Sequence, residues 1–189
     1  MHGAQTNTAD MRKAAPQGDA VGRDKISNHH YSERKTQIDG WLEKLADELR
    51  DDVKVKNFVD NLQYYFQQMP YDDVIGLEAK LVKAGRENQR ISALRKKEAF
   101  SKLLAEWQAY PAAQEIIAYF LARVEAAFEN SIIPVLGTAD ASQIDDIVKR
   151  ELIEPVLSEM GCGPFVLNHN NVAGMIYWLA EQCYVRWHQ

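Results

Sequence analysis

The sequence contains few cysteines and no long apolar run. Its 189 residues include two cysteines, Cys162 and Cys183, which are too few for the disulfide framework that holds many small secreted proteins together. No apolar stretch approaches the roughly 18 residues that indicate a membrane-spanning helix. The first residues also lack the basic start and apolar stretch of a secretory signal. We therefore expect a cytoplasmic protein with no membrane contact.

An excess of positive charge is missing as well. The formal net charge is −5, and basic runs such as Arg95–Lys97 stand among acidic and apolar residues, as on the solvated side of a helix. Proteins that bind nucleic acid or anionic membranes usually carry clustered Lys and Arg, so the sequence predicts no direct electrostatic contact with either. Apolar residues make up 46% and charged residues 26%, which is typical of a globular domain with a core.

Residues 1–31 differ in composition from the rest of the chain. They contain almost no large aliphatic side chain before Ile26, so they cannot bury enough apolar surface to offset the entropy of becoming ordered. We expect a flexible N-terminal segment over residues 1–31 and a helical interaction domain over residues 32–189. Within the first part, Gly18–Ser27 contains glycines, a lysine and a serine, but its spacing does not match a phosphate-binding loop.

From Thr36 onwards, apolar residues recur at the spacing of amphipathic helices. Asp140 and Gln143 resemble a capping box that opens one helix, and Pro155 is expected to kink or split that helix. The other predicted helices begin near Thr36 or span about Val53–Met69, Asp72–Ala84 (with Gly85 as its C-cap), Glu87–Tyr110, Pro111–Asn130 and Asn170–Glu181.

Two short segments near the C-terminus look extended. Phe165–Asn168 is an apolar run after Gly-Pro, and Tyr184–Trp187 has the sequence Tyr-Val-Arg-Trp. Two such segments could pair as a small ribbon lying on a helical surface. The predicted fold class is therefore mainly α, a multi-helix bundle with a possible two-stranded β element near the C-terminus.

The cysteine and histidine residues invite a search for chemistry. Cys162, His169, Cys183 and His188 are of the types that bind zinc, but their spacing matches no zinc knuckle. The sequence also lacks a nucleophile elbow and any Glu-x-x-His pair of a helical di-iron site. We expect a protein that is not an enzyme, with no catalytic residue, no metal and no cofactor. A metal-dependent enzyme that uses these cysteines and histidines remains the less favoured alternative.

Aromatic side chains are numerous, and several are adjacent in sequence. Neighbours on a helix point about 100° apart, so two adjacent rings cannot both face one core. Aromatic residues are enriched at protein interfaces, and the excess indicates a partner surface. The aromatic residues predicted to contact a partner are Tyr64, Tyr65, Tyr119, Tyr177, Trp178 and Trp187.

Four stretches of the sequence, taken in order, form a recognisable set: Leu62–Arg86, Ala113–Leu136, Ile153–Gly161 and Gly174–Trp187. Together they resemble the C-terminal helical domain of ABC-three-component system proteins. In the last stretch the family pattern has Thr-Gly-Asn where this chain has Ala180–Gln182, and a histidine where it has Tyr184. The residues of the closing motif that this chain keeps are Gly174, Met175, Ile176, Tyr177, Leu179, Cys183 and Trp187.

The N-terminal segment adds a further resemblance. Asp19–Ile26 is similar to a short Gly- and Asp-rich motif that often precedes such domains. Five residues in or just after this motif are predicted to contact a partner: Asp24, Lys25, Ile26, His29 and His30.

The resemblance implies a role in a prokaryotic conflict system related to Lamassu-type antiphage defence. In such systems a helical domain works with an SMC-like ABC ATPase and a middle component, and couples an effector to the ATPase. Because only about thirty residues precede the first predicted helix, we expect no effector domain here, and we expect a self-associating adaptor or assembly subunit that meets nucleic acid only indirectly. A DNA-contacting subunit of the same complex is the alternative.

Overall fold

Amphipathic segments fold into helices around a shared apolar core. The computed structural model describes residues 35–70 and 72–188, and the mainly α class is confirmed. The α-helices are α1 (Gln37–Arg50), α2 (Asp60–Tyr64), α3 (Leu77–Lys83), α4 (Arg90–Trp107), α5 (Pro111–Ser131), α6 (Ala141–Ile147), α7 (Glu154–Glu159) and α8 (His169–Glu181). Short 3₁₀ turns occupy Glu87–Gln89 and Ile133–Val135, and a π-helical segment, Val148–Ile153, joins α6 to α7.

Several predictions fall on residues outside this part of the chain. The five contact residues predicted in the N-terminal motif, Asp24, Lys25, Ile26, His29 and His30, all lie outside the described residues. The same holds for the expected flexible segment over residues 1–31. These predictions, and the division at residue 32, therefore stay predictions.

Local sequence signals set where the main helices begin. Thr36, Asp140 and Asn168 each accept a backbone hydrogen bond three residues on, and each belongs to a complete capping box, so two orphan donors are satisfied at each of these helix starts. Pro111 occupies the first turn of α5, where a missing N–H costs least. The capping box of α6 and the position of Pro111 confirm the sequence prediction.

The most extensive helix pair is formed by α4 and α8, which pack directly against each other. Phe100 of α4 is fully buried, as are Met175 and Leu179 of α8. Gly174 permits the approach, because a Cβ added there would lie 2.3 Å from the carbonyl oxygen of Lys96 and 2.8 Å from the Cβ of Phe100. The Met175, Ile176 and Leu179 side chains, which belong to the closing motif, are buried and pack α8 into the core.

The predicted helix over Val53–Met69 is wrong for most of its length. Only Asp60–Tyr64 is helical. The reason is the buried side chain of Gln114, whose amide accepts from the N–H of Val59 at 2.5 Å and donates to the carbonyl of Asn57 at 3.2 Å. These backbone groups are taken by a distant side chain, so they are not free for helical bonds.

The small β ribbon is also absent from the part of the chain that the structure describes, which contains no strand. The backbone of Tyr184–Trp187 is used differently. The N–H of Tyr184 donates to Leu179 at 2.9 Å, and the carbonyl of Val185 accepts from the Lys80 ammonium at 3.0 Å. In the same described range, no helix is long and apolar enough to cross a membrane.

Pro155 lies where the sequence predicts a kink or split, and the structure resolves this as the π-helical segment followed by α7. The buried residues here are Ile144, Val148, Leu152 and Val156, which recur every fourth position. Four residues of an α-helix turn by about 400°, so such a stripe drifts by about 40° at each step. The wider π-helical turns rotate the chain less per residue and keep the stripe directed at the core.

Replacing Gly174 with Ala is expected to destabilise the protein by about 1–3 kcal/mol. The new methyl group would overlap the α4 backbone at Lys96, and backbone cannot move aside as a side chain end can. Urea unfolding followed by circular dichroism measures the change. The matched control is Gly40→Ala in α1, where no atom lies within 4 Å of an added Cβ and where Ala favours the helix by about 0.5–1 kcal/mol. Equal effects of both substitutions would contradict the role of the crossing.

Candidate functional site: a polar pocket beside the end of α8

A pocket of ≈ 480 Å³ opens where α3, α5 and the residues after α8 meet. Its apolar lining comes from Tyr64, Met69, Pro70, Val74, Ile133, Tyr184 and Val185, together with the thiol residue Cys183. Its charged lining comes from Asp72, Lys80, Glu125, Glu129 and Arg186. Pockets of this size that combine an apolar wall with a few polar groups are the usual form of a binding site. We refer to it as the polar pocket.

The end of α8 forms one wall, and its shape follows from a Schellman motif. The N–H of Tyr184 donates to Leu179 at 2.9 Å and the N–H of Cys183 donates to Ala180 at 3.2 Å, which is the bonding pattern of that motif. Cys183 occupies the left-handed position with φ +69°, where glycine is usual because a side chain is disfavoured there. The Cys183 side chain is buried.

Lys80 of α3 holds this turn from within the protein. Its side chain is only 2% exposed, and its ammonium donates to the carbonyls of Ala180 at 2.7 Å and Val185 at 3.0 Å. Burial lowers the pKa of the Lys80 ammonium, partly opposed by the neighbouring Cys183 and by nearby carboxylates. Carbonyls at a helix C-terminus carry partial negative charge, so they supply a counterpart for this buried cation.

Glu181 of α8 makes a second contact between α8 and α3. Its carboxylate accepts from the N–H of Leu77 at 2.9 Å, at the first turn of α3, and lies 3.3 Å from the Lys97 ammonium. An acidic group at a helix N-terminus satisfies an orphan donor and complements the helix dipole. The two helices therefore cap each other, Lys80 at the end of α8 and Glu181 at the start of α3.

His188 and Asp72 close the pocket on another side. The Nε2 atom of His188 lies 2.8 Å from Oδ2 of Asp72. The hydrogen bond to His188, followed by one from the backbone of Val74, holds the pKa of the Asp72 carboxyl below its usual range. This pair fixes the residues after the Schellman turn against the segment that precedes α3.

Tyrosine rings and carboxylates occupy the side of the pocket formed by α5. The rings of Tyr64, Tyr65 and Tyr184 lie 5.0–5.2 Å apart, and the Tyr65 hydroxyl donates to Glu125 at 2.8 Å. Burial raises the pKa of the Glu125 carboxyl, and the charge of Glu129 raises it further, against the opposing hydrogen bond from Tyr65. Burial, with the charges of Tyr64 and Glu125, also raises the pKa of Tyr184 to about 12.

The predicted contact aromatics do not gather in one place. Tyr64 is 47% exposed at the pocket, whereas Tyr65 beside it is buried. Tyr119 lines a further pocket, of ≈ 490 Å³, together with Tyr64 and Tyr65. Its hydroxyl bonds to Glu159 and its ring contacts Trp41. Trp178 is buried against Phe100. The buried rings do not offer a free face to a partner. For all six aromatic residues, contact with a partner stays a prediction.

A second pocket, of ≈ 350 Å³, includes the half-buried Tyr177 and the buried Trp187. The Trp187 ring packs edge-on against Phe128 at 4.9 Å, and the Arg86 guanidinium lies 5.0 Å from its centroid. Arg86 is itself buried and paired with Asp145 at 2.6 Å. The contacts of Trp187 within the chain are therefore a cation–π interaction and an aromatic pair, both of which stabilise the fold.

The cysteines and histidines do not converge. Among residues 35–70 and 72–188, no group of three His, Cys, Asp or Glu side chains is placed to hold a metal ion. Cys162 is exposed, whereas Cys183 is buried at the pocket.

Sequence reasoning missed Lys80, Glu125, Glu129 and Met69 as pocket residues. The sequence does contain one signal for Lys80. It follows Leu77 by three positions and precedes Leu81 by one, so it lies on the apolar stripe of its helix. A lysine on such a stripe is buried only where its ammonium finds partners. The carboxylates gave no comparable signal, since acidic residues on an exposed helix face are ordinary.

Replacing Lys80 with Met is expected to destabilise the protein by about 2 kcal/mol. The carbonyls of Ala180 and Val185 lose the ammonium that donates to them, while Met keeps the packing of the side-chain stem. Chemical unfolding measures the loss. Lys83→Met is the matched control, since Lys83 is exposed on the same helix. A loss of similar size in both variants would show that the Lys80 hydrogen bonds do not hold the turn.

Glu125→Gln is expected to raise stability at neutral pH. The folded state raises the pKa of Glu125, so its stabilising contribution is complete below the unfolded value of about 4.3 and is lost as pH rises through the folded value. Gln stays neutral and still accepts from Tyr65, so its advantage should be present at pH 7 and vanish near pH 4. Thermal unfolding at the two pH values tests this against the exposed control Glu106→Gln, and an advantage that grows on acidification would contradict it.

One comparison with known proteins gives a match. The family model described as C-terminal domain 9 of the ABC-three component (ABC-3C) systems matches residues 76–187. The matched region contains α3, α5 and α8, and with them Lys80, Glu125 and Cys183 of the polar pocket. Searches of curated proteins and of solved structures give no match.

Proposed function

This chain belongs to the family of C-terminal domain 9 of ABC-three-component systems, and from that premise we propose that it is a non-catalytic adaptor subunit. In this role it binds the SMC-like ATPase and the middle component of its system, and it couples an effector to the ATPase. We further propose that it self-associates during assembly.

The main support for this proposal is that charged side chains at the polar pocket bind groups of the protein itself. Lys80 is committed to two backbone carbonyls, Glu181 to the start of α3, and Asp72 to His188. Catalytic acids and bases must be able to exchange protons with a substrate, whereas these groups hold the protein's own backbone and side chains. The pattern supports a shaped contact surface rather than a reaction centre.

Exposed apolar side chains around the same pocket also support a contact surface. Met69 is 53% exposed and Tyr64 is 47% exposed, although both line the pocket. Met adapts its shape to a partner, and Tyr combines a large apolar ring with a polar tip. Such residues are enriched where proteins meet.

The test is co-purification of the full chain with the ATPase and the middle component of its own system. We expect both to be retained by the tagged wild-type chain, and we expect Met69→Asp to weaken retention by about tenfold or more, because it places a charge in an apolar contact. Ile91→Asp is the control, since Ile91 is also exposed, at 64%, but does not line the polar pocket.

Failure of the wild-type chain to retain either component would contradict the adaptor role. A mobility shift of DNA by the purified chain at low salt, where phosphate contacts are strongest, would instead favour the DNA-contacting alternative. Size-exclusion chromatography with light scattering measures self-association, and a monomer at all concentrations would contradict that part of the proposal.

A further inference from the structure

Two carboxylates of the polar pocket, those of Glu125 and Glu129, make no ion pair within the part of the chain that the structure describes. Glu125 and Glu129 both line the pocket, and their spacing of four residues places them one turn apart on the same side of α5. Within the described residues, the ion pairs of the chain include neither of them. Like charges at this spacing destabilise a helix by a few tenths of a kcal/mol, and a cation between the two carboxylates would relieve that repulsion.

The other charges of the pocket are already engaged. The Lys80 ammonium donates to Ala180 and Val185, and Asp72 is paired with His188. Arg186 also lines the pocket and makes an interaction of its own. Among the described residues, the pocket carboxylates outside any ion pair are those on α5.

Aromatic rings stand beside these carboxylates. Tyr64 and Tyr184 line the same pocket, with ring centroids 5.2 Å apart. The Tyr184 hydroxyl lies 2.5 Å from the carbonyl of Tyr64 and 2.9 Å from that of Gln67, so its ring is held in a fixed position. A cation over a tyrosine ring gains electrostatic attraction, and an arginine can also stack on the ring.

The rim of the pocket is anchored to α8 rather than free. The N–H of Met69 donates to the carbonyl of Gln182 at 3.3 Å, and Tyr184 bonds the backbone of Tyr64 and Gln67. Met69 is nevertheless half exposed. The segment thus offers an apolar side chain on a preformed surface, which lowers the ordering entropy of binding.

We propose that the polar pocket receives an arginine or lysine side chain from a segment of a partner protein, with Glu125 and Glu129 pairing its charge and Tyr64, Tyr184 and Met69 covering its apolar stem. This occupant satisfies each feature of the site: a long stem for the apolar lining, and a cation for the unpaired carboxylates. A nucleic-acid phosphate is disfavoured by the same two carboxylates. The proposal deepens the adaptor function and rests on it for the identity of the partner.

Peptide titration of the isotope-labelled full chain, followed by residue-resolved NMR, tests the pocket directly. The probes are an acetylated and amidated alanine pentapeptide with one central arginine, its lysine version, and the neutral counterparts with citrulline or acetyl-lysine. We expect the cationic peptides to shift the amide signals of Glu125, Glu129 and Tyr184, and to bind at least about tenfold more tightly than the neutral ones.

Variants separate the pocket from general charge attraction. The double variant Glu125→Gln with Glu129→Gln should lose the preference for the cationic peptides, and it should remain folded because Gln preserves the shape of both side chains. Glu106→Gln, an exposed control on α4, should keep the preference. The proposal is overturned if the wild-type chain responds to no peptide, if neutral and cationic peptides bind alike, or if the double variant keeps the preference.

The result of the peptide titration can be distinguished from the result of the co-purification test. Co-purification of the ATPase without any preference for cationic peptides contradicts the pocket assignment alone. A preference for cationic peptides without co-purification contradicts the proposed partners alone.

Discussion

A single buried ammonium group joins the parts from which the polar pocket is made. Lys80 leaves α3, crosses to the Schellman turn after α8, and donates to the carbonyls of Ala180 and Val185. Its desolvation is unfavourable, as its lowered pKa indicates, and two carbonyl dipoles offset that penalty. Because Glu181 caps α3 in return, the two helices, the turn and the pocket wall depend on one another.

Much of the fold is predictable where the controlling interactions are local. The capping box at Asp140, the proline at the start of α5 and the left-handed Gly85 after α3 each involve residues within one turn of each other. The family resemblance read from four short motifs is confirmed as well. The predicted helix before Pro70 fails because Gln114, over fifty residues away, takes its backbone groups. No periodicity of apolar residues contains that information.

The candidate site is less predictable than the fold for the same reason. Tyr64 and Tyr65 were found from their residue type, and Tyr64 does line the pocket. Lys80, Glu125 and Glu129 become pocket residues only when α3, α5 and the turn after α8 meet in space. The excess of aromatic residues has two causes, core packing and surface exposure, which sequence does not distinguish. Trp178 and Trp187 are buried in the core, whereas Tyr64 is half exposed.

The π-helical segment Val148–Ile153 has a consequence for how this family can change over time. Each residue of an α-helix turns the chain by about 100°. In purely α-helical winding, the eight positions from Val148 to the buried Val156 would turn the chain by about 800° and carry Val156 roughly 80° off the core face. With one residue fewer, the turn would be about 700° and Val156 would return to within about 20° of that face. The wider π-helical turns therefore absorb one extra residue, and an evolving lineage could lose that residue while α7 keeps its packing.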